Sequence, residues 1–145
     1  MTRREEREHL IKLLYLREFH EADELEEQYQ LYFDVILPNE GVECKDSAEI
    51  LERLAKLVSH LPEIDSLIIA KMKDWKISRI GLVEKNILRL CAFDMIYDNV
   101  PRGAAINEAV ELAKIYCRPE APGFINGVLA KIVKGLESED DKQST

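Results

Sequence analysis

The side chains best suited to catalysis are present in this chain, but not at working spacings. His9, His20 and His60 form no His-x-x-x-His pair, and Cys44, Cys91 and Cys117 form no Cys-x-x-Cys, so the usual zinc-ligand signatures are missing. His9 and His20 fall three helical turns apart, roughly 16 Å, too far to share a metal. No glycine-rich loop offers to cradle a phosphate, and the Gly123/Gly127 spacing suits close helix packing. Carboxylates are plentiful, yet most lie on polar helix faces, where solvation is the default. Asp94 differs because it stands inside an apolar run. A buried aspartate needs a partner, and Arg89 or Arg79 could supply it as a structural ion pair. These patterns lead us to expect a binding domain, not an enzyme, with no metal and no cofactor.

The N-terminal basic cluster carries more chemistry. On an ideal helix Arg3, Arg4 and Arg7 fall within an arc of roughly 100°, and Tyr15 lies three turns beyond Arg4 on nearly the same line. Cations followed by an aromatic ring suit single-stranded RNA, with phosphates on the arginines and a base stacked on the tyrosine. Glu5, Glu6 and Glu8 offset the three arginines. On charge count alone, a solvated amphipathic helix start is the simpler reading.

These groups must be positioned by helices. The chain has 145 residues, with 46% hydrophobic and 33% charged, enough to bury an ordinary core without disulfides. Glycine and proline are scarce, strand-like alternation is absent, and apolar residues recur at helical spacing, so we expect an all-α fold. A first helix runs from about Arg3 to His20, with Thr2 and Glu5 at capping-box spacing and Leu10, Leu13 and Leu14 inward. A second covers about Glu24 to Leu37, with Leu25, Tyr29, Tyr32, Phe33 and Ile36 inward, and ends at Pro38-Asn39-Glu40-Gly41. Asp46 caps a third, carrying Ile50, Leu51, Leu54, Leu57 and Val58, and Pro62 opens a fourth, carrying Ile64, Leu67, Ile68 and Met72. After a short connection from Trp75 to Gly81 comes the most apolar helix, about Leu82 to Tyr97, which should be central. A sixth carries Ala105, Ile106, Ala109, Val110 and Ala113. Pro119 and Pro122-Gly123 are expected to break the chain before a seventh with Phe124, Val128, Leu129, Ile132 and Val133. Residues 1–137 read as one domain and 138–145 as a polar, frayed tail.

Net charge is −8, which argues against general affinity for nucleic acid, but the charge is uneven. Residues 1–74 carry 10 Lys/Arg against 18 Asp/Glu, a net −8, whereas residues 75–136 carry 9 against 6, a net +3. That asymmetry permits a local anionic ligand. No apolar run reaches the roughly 20 residues of a membrane helix. The start, MTRREEREHL, has no apolar core or cleavage site. Three distant cysteines read as reduced thiols, so the expected location is cytoplasmic.

The run WKISRIGLVEKNILRLCAFDMI, followed by VP, INEAVELAK and FINGVL, resembles the NusB family, and the opening RRxxRxxxxxLLY pattern fits it as well. The resemblance implies a bundle of about seven helices in two sub-bundles. It implies a bacterial transcription antitermination factor that binds boxA RNA of ribosomal RNA leader transcripts together with the ribosomal protein NusE. The pair would act on the elongating RNA polymerase. It places Arg3, Arg4, Arg7, Tyr15, Tyr116 and Phe124 on the RNA face and Glu84 on the NusE face. Phe124 also opens an apolar stripe, so core packing competes for it. Two alternatives stay open: a protein-only adaptor that has lost RNA binding, and an accessory domain working with a separate ribosomal RNA methyltransferase. Cys117 stands where the family commonly has glycine, so the 117–123 loop is expected to take its own path.

Overall fold

The computed structural model describes the backbone of residues 1–72 and 80–143 and the side chains of 1–72 and 80–140. The expected connection at 75–79, and with it Arg79, lies outside them. All regular structure among the described residues is helical, and the chain divides into two compact units, Met1–Val58 and Ser59–Thr145.

The first unit opens with α1, Arg3–Arg17. Thr2 Oγ1 accepts from Glu5 N at 3.1 Å, and Glu5 Oε2 accepts from Thr2 N at 3.2 Å. The capping box thus satisfies two backbone donors at the helix start. Leu10, Leu13 and Leu14 are wholly buried. The second expected helix is a composite: a 3-10 turn Ala22–Glu24, α2 Leu25–Leu31, a π-turn Tyr32–Ile36 and α3 Leu37–Asn39. The π-turn changes the register. Ile36, expected inward, is 42% exposed, while Leu37 is buried at 1%. Widening the turn to i→i+5 rotates the following residues about the axis, so the inward position passes to the next residue. The last helix of the unit, α4 Ser47–Ser59, buries Ile50, Leu54 and Leu57.

The second unit begins with α5, Leu61–Ala70, whose first turn holds Pro62. Helix α6, Leu82–Tyr97, has the bounds its sequence predicts, and ten consecutive residues, Asn86 to Met95, are buried. Its end is fixed by Asn99 at φ 54°, a left-handed residue of the kind that closes helices. Arg89 directs its fork at Asp65 of α5, with Nε–Oδ1 and Nη2–Oδ2 both 2.8 Å, and Nη1 donates to Asn86 Oδ1. Asp94 is 1% exposed and is also engaged within the protein. Helix α7, Arg102–Tyr116, turns Ala105, Ala109 and Ala113 inward, one turn apart, and packs on α6 and α8.

Helix α8 runs Ala121–Gln143. Pro122 and Gly123 do not break the chain as expected but form its first turn, where a missing proline N–H has no intrahelical partner to lose. The helix also continues through residues 138–143. Arg102 Nη2 of α7 meets Asp140 Oδ2 there at 2.9 Å.

Candidate nucleic-acid and partner interface

Helix α1 sorts the expected RNA-facing residues by burial. Arg3 and Arg4 are exposed. Arg7 is only 9% exposed and its side chain is engaged within the protein, so it is held as part of the fold. The acids beside the arginines also have structural work. Glu5 completes the capping box, and Glu6 Oε1 accepts from Arg53 Nη1 of α4 at 2.7 Å, with both side chains about three-quarters buried. Glu6 is therefore neutralised by a residue 47 positions away and does not simply offset Arg4.

Tyr15 is 41% exposed and packs against Phe19, 61% exposed, with ring centroids 5.1 Å apart and planes tilted by 58°. Sequence reasoning missed Phe19. The i, i+4 spacing from Tyr15 was the available signal, since such pairs meet on one helix face. The two rings, Tyr15 in the last turn of α1 and Phe19 just past its end, form an exposed aromatic pair at the far end of the helix that opens with Arg3 and Arg4.

Elsewhere in this unit, His9 Nδ1 and Tyr32 Oη share a hydrogen bond of 2.7 Å. Burial, aided by the Lys12 charge, holds the His9 pKa below its ordinary value. The histidine the sequence left unassigned is thus a neutral core group that ties α1 to the π-turn. Among the described residues, no three His, Cys, Asp or Glu side chains are placed to hold a metal.

In the second unit Tyr116 is the last residue of α7 and is 39% exposed, beside Ile115 at 56%. Cys117 follows at φ −120°, ψ 173°. The chain leaves α7 extended and needs no left-handed residue there, which explains why cysteine can stand at this position. Phe124 is half-buried on the first turn of α8. It lines a groove of about 610 Å³ with Ile80, Gly81, Glu84, Arg118, Glu120 and Ala121. The structure therefore brings together Phe124, expected on the RNA side, and Glu84, expected on the NusE side. Tyr116 is not part of that lining.

Two neighbours hold the Glu84 carboxylate. It occupies the space a β-carbon at Gly81 would fill, so only glycine at this N-cap lets Glu84 fold back over the helix start. There it also suits the positive end of the helix dipole. The Cys117 thiol donates to it, and burial together with the Glu84 charge pushes the thiol pKa up to about 12. Cys117 is accordingly an inert thiol at neutral pH. The groove offers a flat ring, an arginine and two carboxylates, suited to recognising a partner's cationic and apolar side chains.

Comparison with known proteins identifies the family. The NusB family model matches residues 4–134. A transcription antitermination protein NusB of Lachnoclostridium phytofermentans is 43% identical over 134 residues, covering 92% of this chain and 99% of the relative. One from Agathobacter rectalis is 39% identical, covering 90% and 98%. Among solved structures, T. maritima NusB superposes with a TM-score of 0.75 at 27% identity, covering 92% of each chain. A structure of antitermination factors NusB and NusE in complex with dsRNA superposes with a TM-score of 0.70 at 28% identity, covering 93% and 99%. No helix among the described residues is long and apolar enough to cross a membrane. In sequence along most of its length, and in helical fold, the chain belongs to the NusB family.

Proposed function

We propose that this protein is a cytoplasmic transcription antitermination factor that binds boxA RNA of ribosomal RNA leader transcripts jointly with NusE and hands the pair to the elongating RNA polymerase. Its action is binding without catalysis. The observation that carries the RNA half is the exposed Tyr15–Phe19 ring pair at the far end of a helix opening with exposed Arg3 and Arg4. Arginine contacts position the phosphates, and the rings accept an unstacked base. Tyr116 and Phe124 offer further flat faces. Arg7 contributes by holding α1, since its burial removes it from direct contact with RNA. The likeness to a NusB in complex with NusE and dsRNA supports the partner half. Glu84, fixed by Gly81 and Cys117 at the edge of the α6/α8 groove, is the residue we assign to that partner.

The test is a gel shift with boxA RNA and a scrambled RNA of equal length, each with and without purified NusE. The proposal expects a boxA-specific shift that NusE strengthens. Equal retardation of both RNAs would refute boxA recognition, and no retardation with NusE present would favour a protein-only adaptor.

A further inference from the structure

Away from the residues already discussed, the second unit has an open groove of about 440 Å³ lined by Ala70, Lys71, Lys131, Lys134, Gly135 and Ser138. Lys131, Lys134, Gly135 and Ser138 follow one face of α8, at the i, i+3, i+4, i+7 spacing of a single helical stripe. Lys71, just past the end of α5, reaches across to it. A β-carbon built on Gly135 would stand 3.1 Å from Lys71 Nζ and 3.3 Å from Cε. The missing side chain is thus what lets the Lys71 ammonium lie against α8 at Gly135.

Three ammonium groups around one small groove repel one another. Among the described residues none of the three is paired with a carboxylate, although acids outnumber bases in the whole chain by 28 to 20. The lining also holds a serine and no acid. Such a lining suits an anion with several oxygens. A lysine triad presents point charges without the planar fork that fixes register on a carboxylate, which suits phosphodiesters of varied orientation.

We propose that the Lys71–Lys131–Lys134 groove is a second, sequence-indifferent contact for the RNA backbone, holding phosphates of the transcript beyond the boxA element. This rests on the RNA-binding function proposed above. In it, the α1 platform reads the element and the lysine groove adds affinity without reading bases.

The two contact sets separate by salt dependence. Single strands give a log–log slope of roughly −0.7 per neutralised phosphate. Arg3 and Arg4 alone then give about −1.4 on a short boxA oligonucleotide, and the three lysines bring the slope to about −3.5 on boxA RNA extended at both ends. The experiment measures both slopes for the full chain, for Lys71→Gln/Lys131→Gln/Lys134→Gln, and for the matching triple arginine variant, with circular dichroism to confirm folding. The glutamine variant should fall to about −1.4 on the extended RNA, unchanged on the short one, and the arginine variant should keep the steeper value. Wild-type binding of the short RNA together with identical slopes for wild type and glutamine variant on the extended RNA would overturn the lysine site and leave the boxA reading intact. If the wild type binds neither RNA, the boxA reading itself fails and the lysine site falls with it. Should the glutamine variant misfold, the folded arginine variant and a single Lys134→Gln variant, expected to reduce the slope by about 0.7, carry the test.

Discussion

Replacing Gly81 by alanine should activate the Cys117 thiol, three dozen residues away in sequence. The new methyl would occupy the volume now held by the Glu84 carboxylate and displace it. Cys117 then loses both the adjacent negative charge and the acceptor of its S–H, two of the three causes that raise its pKa to about 12. Burial, the largest cause, stays, so the pKa falls but remains above that of a free thiol. Each unit regained multiplies the thiolate fraction at pH 8 about tenfold, at 1.36 kcal/mol per unit. Glu84→Gln removes the charge by a different route and should move Cys117 the same way. The stability cost differs between them. Alanine is a poor N-cap where glycine is an acceptable one, so Gly81→Ala should cost about 0.5–1 kcal/mol. Glu84→Gln loses a dipole-aligned charge worth about 0.3–1 kcal/mol. The assay is iodoacetamide alkylation followed by peptide mass spectrometry, which reads Cys117 apart from half-buried Cys44 and buried Cys91. We expect Cys117 alkylation about tenfold faster in both variants. Unchanged Cys117 rates in both folded variants would refute the Gly81–Glu84–Cys117 linkage.

Tyr32→Phe should cost about 1–3 kcal/mol, because it leaves a buried His9 nitrogen without its partner. The native state disfavours charged His9, so the unfolded chain binds more protons below the ordinary value of 6.5. Stability should therefore be fully present above that value and decline as pH falls toward the lowered native pKa, as thermal melts across that window would show. Asp65→Asn leaves Arg89, whose side chain is 9% exposed, without its bidentate carboxylate, and should cost about 3 kcal/mol in urea unfolding. Glu5→Arg/Glu6→Ala should strengthen RNA binding at low salt, with the gain shrinking as salt rises. It should also lower the melting temperature, since it removes a capping box worth about 1 kcal/mol and a partly buried ion pair worth up to about 1 kcal/mol.

What could be read from the sequence was local chemistry with its own residue signal, and what escaped it was local geometry that leaves no such signal, together with long-range contacts. Helix α6 could be bounded because its ends carry their own chemistry, Gly81 before it and Asn99 after it, and its all-round apolar composition marks a buried element. The Thr2–Glu5 box was equally legible, since both partners lie within one turn. The π-turn at Tyr32–Ile36 was not, because one widened turn leaves no mark on a hydrophobic period, and an unbroken period points Ile36 inward. Pro122-Gly123 reads as a break because the pair looks the same in sequence in a loop and in a first helical turn. The roles of Glu6, Arg7 and Asp65 depend on side chains brought near by folding, such as Arg53 and Arg89, which no spacing rule reports. For the site, the helical arc through Arg3, Arg4 and Tyr15 was visible. The Phe19 ring beside Tyr15 was visible too, but lay past the residues to which the motif drew notice.

The central claim is that one chain holds RNA and NusE together, with Tyr15 and Phe19 serving the RNA alone. The most direct measurement is a calorimetric cycle: boxA RNA affinity with and without saturating NusE, and NusE affinity with and without saturating boxA, for wild type and for Tyr15→Ala/Phe19→Ala. The account predicts that each ligand tightens the other by the same factor. It also predicts that the double alanine variant loses about 1–3 kcal/mol of RNA affinity per unstacked base while its affinity for NusE in the absence of RNA stays unchanged. A wild type whose boxA affinity is indifferent to NusE, or a folded double variant that binds boxA as tightly as wild type, would contradict it.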